Sequence, residues 1–153
     1  MIHRAKVYGE DRYVEGLLLP KFNENTYIST EWTSDFDGFT PNFIRVHENT
    51  LAVHMPDFID SKGNKFFASL NKDGKGADIL VGQGYVGKVW YGTKTEFYVE
   101  YVENYGFTLK DSSGKISDLH VWLDAEHKIK NPIPWKNNLG RHYCELEVNG
   151  IKE

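Results

Sequence analysis

Six histidines, one cysteine and scattered serines and carboxylates are the side chains here that could do chemistry. His3, His47, His54, His120, His127 and His142 include no His-x-His and no His-Glu-x-x-His, the spacings that turn two imidazoles onto one metal. His47 and His54 are seven residues apart, as are His120 and His127. Seven residues is close to two helical turns, so the second pair would share a helix face, where two surface imidazoles explain it as well as a metal does. Cys144 is the only cysteine, which excludes an intrachain disulfide and argues against a cysteine-based zinc site. In an alternating strand pattern it reads as a small buried hydrophobe. Asp57, Asp60 and Asn64 carry oxygens near a glycine, but no bidentate Glu follows at calcium-loop distance, and they read as turn formers. Ser61, Ser69, Ser112, Ser113 and Ser117 lie outside any nucleophile-elbow pattern.

Gly82-Gln83-Gly84-Tyr85-Val86-Gly87 spells the dinucleotide fingerprint Gly-x-Gly-x-x-Gly. It leads into a strand pattern, so no helix N-terminus stands ready for a phosphate. The residues thus point to a non-enzymatic protein with no catalytic residue, no metal and no cofactor. One hydrolytic alternative stays open, with His120 or His142 acting beside Asp118 or Asp124.

Charge and aromatic content suggest binding instead. The 153 residues carry a net charge of -4 with a pI near 5.9, and 14% are aromatic. Generic nucleic-acid binding leaves a basic footprint, which this balance opposes except in a local patch. Residues 31–60 are acidic, with Glu31, Asp35, Asp37, Glu48, Asp57 and Asp60 against Arg45. The next segment is basic, with Lys62, Lys65, Lys72, Lys75, Lys88 and Lys94 against Asp73 and Asp78. A face of Tyr85, Lys88, Trp90, Tyr91 and Tyr98 is therefore the candidate ligand-binding site, with rings to stack and lysines for phosphates. The plainer alternative, which is favoured, puts the lysines on turns and edge strands for solubility.

The elements that would hold these residues are mostly strands. Ile2–Tyr8 and Arg12–Leu19 flank a hairpin turn at Gly9-Glu10-Asp11, and Thr26–Thr30, Asn42–His47 and Leu51–His54 follow as short strands. Glu31–Pro41 reads as a polar loop. Phe66–Leu70, Ile79–Val81, Tyr85–Tyr91, Glu96–Val102, Tyr105–Lys110 and Arg141–Val148 are further strands, broken at Gly82-Gln83-Gly84 and at Gly92-Thr93-Lys94-Thr95. Alternation over 85–91 puts Tyr85 and Tyr91 on one face and Trp90 with Lys88 on the other. A short helix is expected from Ser117, an N-cap with Asp118 in the first turn, through an apolar stripe of Leu119, Trp122 and Leu123. The fold class is mainly β: small barrel-like, meandering sheets with one short helix near the C-terminal end. Residues 1–153 form a single compact unit or two closely packed β lobes, about 1–60 and 61–153. No secretory signal pattern follows Met1, and no apolar run is long enough to span a bilayer, so a cytoplasmic protein is expected.

His3-Arg4-Ala5-Lys6 and Tyr13-Val14-Glu15-Gly16-Leu17-Leu18 are similar to the first strand pair of the YopX-like family of bacteriophage and prophage proteins. Asp60-Ser61-Lys62-Gly63-Asn64-Lys65-Phe66-Phe67 is similar to the first half of its most recognisable segment, and Gly76-Ala77-Asp78-Ile79-Leu80 to the second, with an insertion between the halves and Ala77 in place of a glycine. Gly87-Lys88-Val89 resembles the Gly-x-Val strand after it. The resemblance implies a mainly-β fold and a phage or prophage origin, and it carries over no catalytic residue. The expectation is an accessory binding module with a protein or nucleic-acid partner and no membrane. The alternatives are a homo-oligomeric assembly protein and a single-strand binder working through the aromatic and lysine face.

Overall fold

The first two runs of alternating residues pair with each other across the glycine turn. In the computed structural model β1 (Ile2–Lys6) lies antiparallel to β2 (Tyr13–Leu18), with Ala5 opposite Val14 and Lys6 opposite Tyr13. The structure describes residues 2–31, 34–35, 38–39, 42–56, 59–86, 89–103, 106–114, 116–118 and 146–153. Partway along, β2 changes partners: Leu17 and Leu18 pair with β3 (Thr26–Ser29). Gly16 permits that crossing, because a Cβ there would fall 2.1 Å from the Ser29 carbonyl oxygen. Within residues 31–42, β4 (Ser34–Asp35) pairs with β5 (Gly38–Phe39).

From β3 the pairing passes to β6 (Ile44–Val46), and β6 then returns to the end of β1. Val7 bridges Val46, the Tyr8 amide donates to the Arg45 carbonyl at 2.9 Å, and the His47 amide donates to the Lys6 carbonyl at 2.9 Å. A 3-10 turn (Glu48–Thr50) leads into β7 (Ala52–His54), which pairs with β1 on the edge away from β2. This barrel-like curl closes around Ala5, Val7, Val14, Ile28, Val46 and Leu51. Burial of such side chains is the main force holding it, at about 25 cal/mol per Å² of apolar surface.

The sheet continues through β8 (Ala68–Ser69), antiparallel to β7 and parallel to β10 (Val89–Val102). β9 (Asp78–Val86) forms a long hairpin with β10, which also pairs with β11 (Gly106–Asp111), and β11 with β12 (Ile116–Asp118). The last strand, β13 (Glu147–Ile151), lies against β9. Eleven of the described strands thus join one sheet, in which the path β12-β11-β10-β8-β7-β1-β2-β3-β6 carries β9 and β13 on its β10 side. A second apolar cluster, built on Val53, Phe66, Leu80, Phe97, Val99, Leu109 and Leu146, covers these later strands, and Leu70 packs against both clusters. The protein is mainly β, and no helix among the described residues is long and apolar enough to cross a membrane.

Three expectations change. The glycines at 82 and 84 lie inside β9, and 92–95 lies inside β10, so two expected strand breaks disappear into one hairpin. Its register slips between Tyr91 and Thr95, a bulge that takes up the extra residues where glycine and threonine tolerate the irregular backbone. Ser117 and Asp118, expected to open a helix, sit on β12 opposite Leu109 and Thr108; the remainder of that helix, 119–130, lies outside the described residues. The final strand runs on to Ile151, past the expected end at Val148, while residues 141–145 of that expected strand lie outside the described residues.

One polar junction joins the early and late strands. The buried Arg4 side chain donates to Asp78 Oδ1 at 3.0 Å and to the Gly76 carbonyl at 2.7 Å, while its guanidinium lies 4.3 Å from the Phe67 ring centroid. The Phe67 amide donates to the other Asp78 oxygen at 2.7 Å. Gly76 is held at φ +86° with no room for a side chain, since a Cβ would fall 1.9 Å from the Thr50 carbonyl oxygen. Asp60 anchors the other side of the sheet. It accepts from the amides of Lys62 (2.9 Å), Asn64 (2.7 Å) and Val148 (2.9 Å) and from the Asn64 side chain (3.2 Å), tying its turn to β13. That is the turn role expected of it.

Candidate functional site

The face expected from residues 85–98 does not assemble as one platform. Because Val89 pairs back on Val86, Trp90 stands directly opposite Tyr85 and shares its face, whereas a single continuous strand would have separated them. The two rings pack at 4.9 Å with Tyr85 buried and Trp90 47% exposed. Tyr91, opposite Gly84, turns to the other face, where it packs edge-on against Phe97 at 5.0 Å and its hydroxyl donates to Asp111. Tyr98 sits eight residues beyond Trp90, at a rise of about 3.3 Å per residue. There it lies beneath the Lys152 ammonium, 5.4 Å from its ring centroid, and donates to the Lys72 carbonyl at 3.4 Å. Burial, above all, raises its phenol above the ordinary value. Lys88 lies outside the described residues. Two lysines of the basic segment are engaged locally, Lys65 with Glu15 at 2.7 Å and Lys62 with Glu147 at 3.5 Å.

A different set of aromatic residues does come together, on the barrel-like half. Along 43–47 the chain alternates strictly, so Ile44 and Val46 face the apolar cluster while Phe43, Arg45 and His47 face outward. Strand pairing sets Tyr27 directly across from Arg45, and the return of β6 to β1 brings Tyr8 over it. The Arg45 guanidinium lies 3.7 Å from the Tyr8 ring centroid, His47 packs against the same Tyr8 ring at 5.0 Å, and Phe43 meets Tyr27 edge-on at 6.0 Å. Phe43 is 63% exposed and Tyr8 51%. The result is a strip of four rings with one guanidinium in its middle, held by packing before any ligand arrives.

At its His47 end the strip opens into a cleft of about 490 Å³ between the β1–β2 turn and the 3-10 turn. Lys6, Tyr13, His47, Thr50, Lys75 and Glu153 line it. Lys6 is bound to Asp11 at 3.1 Å, and that pair, first through its hydrogen bond, holds the ammonium above its ordinary value. The Tyr13 phenol is likewise raised, chiefly by burial and next by the nearby Glu153 carboxylate. A cleft with amide, hydroxyl and charges of both signs suits polar, extended ligands.

His54, buried against Phe67, bonds through Nδ1 to the Phe66 carbonyl at 2.9 Å, which occupies it structurally. No group of three or more His, Cys, Asp or Glu side chains that could hold a metal occurs among the described residues. His120, Asp124, His127, His142 and Cys144 lie outside them. The strip was open to sequence reasoning in part: Phe43-Ile44-Arg45-Val46-His47 alternates as cleanly as any segment in the chain. Its partners Tyr8 and Tyr27 come from strand pairing and carry no local signal. No protein-family model, curated protein or solved structure matches the chain.

Proposed function

We propose that the chain is a non-enzymatic binding module that holds an extended segment of a protein partner along the Tyr27–Phe43–Arg45–Tyr8–His47 strip and into the adjoining cleft. The observation that carries this reading is the strip itself. Tyrosine and arginine are the residues most enriched at binding hot spots, and rings already stacked lose little side-chain freedom on contact. Exposed aromatic residues joined in one patch, beside a polar cleft, are also what a monomer seldom leaves uncovered without use. The motif resemblance to YopX-like proteins adds a phage or prophage accessory role to the same reading.

The test is selection of displayed random peptides on the immobilised full chain. Peptides should be enriched, and Tyr8→Ala or Phe43→Ala should each weaken their binding by about tenfold, the scale of a hot-spot ring. Both variants should melt within a few degrees of the parent, since both rings are on the surface. Enriched peptides that ignore Tyr8 and Phe43 but depend on Trp90 would move the site back to the β9–β10 hairpin and sink the assignment to the strip.

A further inference from the structure

We infer that the segment held by the strip is an acidic one, with a carboxylate bound to the Arg45 guanidinium and a large apolar side chain resting beside Phe43 and Tyr27. This rests on the binding-module reading above and adds the chemistry of the partner. Three cations next to the strip already have carboxylate partners: Lys6 with Asp11 at 3.1 Å, Arg12 with Glu10 at 2.5 Å, and Lys21 with Glu48 at 2.6 Å. Arg45 is the exception. It is exposed, and no carboxylate lies within ion-pair distance of it among the described residues. Its contact is the Tyr8 ring at 3.7 Å, which braces the guanidinium without occupying its N–H donors. A planar fork fixed in place, with aromatic residues around it, matches a carboxylate in geometry and charge. Little ordering is left to be done on binding, because Tyr8, Tyr27 and the β6 backbone already hold the group.

A nucleic-acid strand would also offer anions and stacking surfaces. It is disfavoured because such binding draws on several phosphate contacts at once. The strip itself offers one guanidinium, in a chain of net charge -4, and does not provide them.

The experiment uses the full chain, immobilised, and compares the peptide selections of the parent, Arg45→Lys and Arg45→Gln, with each variant's thermal melt measured first. The parent should enrich peptides carrying Asp or Glu at a fixed spacing from an aromatic or large aliphatic residue. Arg45→Gln should weaken a selected peptide by about tenfold or more, the scale of a charge-assisted hydrogen bond. Arg45→Lys should restore only part of that affinity, since the ammonium keeps the charge and loses the fork. Replacing the acidic residue of the peptide by its amide should cost the parent the same factor and cost Arg45→Gln little. Peptides enriched with no acidic bias, yet still weakened by Phe43→Ala, would overturn the acidic partner and leave the binding module standing. No enrichment on any version would overturn both. A labelled single-stranded oligonucleotide that binds the parent and is lost in Arg45→Gln would overturn the proposal in favour of nucleic acid.

Discussion

Removing the Asp78 carboxylate should damage this fold more than removing the arginine it pairs with. Both side chains are buried, at 8% and 6% exposure, and the pair ties β1 to β9 across the sheet. Arginine keeps its charge at any pH the fold survives. Asp78→Ala therefore leaves a buried guanidinium with the Gly76 carbonyl as its remaining acceptor, and it also deprives the Phe67 amide of one. Breaking a buried pair from one side costs about 3–5 kcal/mol. In a chain of this length each kcal/mol moves Tm by about 2–4 °C, so the melt should fall by about 10 °C. Arg4→Met has an outlet that Asp78→Ala lacks. Burial, the foremost influence, holds the Asp78 carboxyl above its ordinary value of 3.8 even though Arg4 and the Phe67 amide pull it down. With Arg4 gone the carboxyl rises further and can take up a proton instead of staying charged. A carboxyl raised in the folded state binds its proton more tightly there than in the unfolded chain. Its contribution to stability is therefore fully present at low pH and falls as the pH rises from the unfolded value through the folded one. The deficit of Arg4→Met should accordingly shrink as the pH drops from neutral towards about 4, while that of Asp78→Ala should not. Arg4→Met/Asp78→Leu, with no charge left to bury, should regain much of the loss. Urea unfolding of all four proteins at neutral and acidic pH decides the matter. An Asp78→Ala variant within about 1 kcal/mol of the parent, or an Arg4→Met deficit that widens on acidification, would refute the reasoning.

Two further outcomes follow from the backbone and its anchors. Gly76→Ala meets a carbonyl oxygen at 1.9 Å and should cost more than about 3 kcal/mol, whereas Gly63→Ala, at the same φ of +86° but with nothing within 4 Å, should cost about 1 kcal/mol; thermal melts of the two compare clash with strain alone. Asp60→Ala orphans donors on two segments and should cost about 3 kcal/mol, with amide exchange at Val148 accelerating more than at Leu80; equal acceleration at both would show that Asp60 does not anchor β13.

The barrel-like half was legible in the sequence because its information is local. Each of its strands is a short run of alternating residues closed by turn chemistry, as at Gly9-Glu10-Asp11 or Glu48-Asn49-Thr50, so the pattern and the boundaries agree. The β9–β10 hairpin was not legible for the opposite reason. Gly82, Gly84 and Gly92 are the strongest turn signals in that stretch, yet backbone pairing over Asp78–Val86 and Val89–Val102 runs straight through them. Glycine in a strand marks a bulge as readily as a break, and only the partner strand decides which. Ser117 and Asp118 fail similarly: a good N-cap is also a serviceable edge residue, and pairing with β11 outweighs the preference.

The site follows the same division between local and non-local information. The aromatic residues at 85–98 crowd together along the chain, but the pairing puts Tyr91 and Phe97 on the face opposite Tyr85 and Trp90, and Tyr98 lies eight residues beyond Trp90 on the same strand. Tyr8, Tyr27 and Phe43 are spread over thirty-five positions, a separation that hides them from any window reading. What unites them is β6, a three-residue strand that pairs with β3 and then reaches β1. Its inward residues, Ile44 and Val46, are fixed by the core, and with a period of two that choice forces Phe43, Arg45 and His47 outward. The exposed strip is thus a consequence of how the small core is filled. Arg45 points outward because Ile44 and Val46, one residue to either side, turn into the core and leave it nowhere else to point.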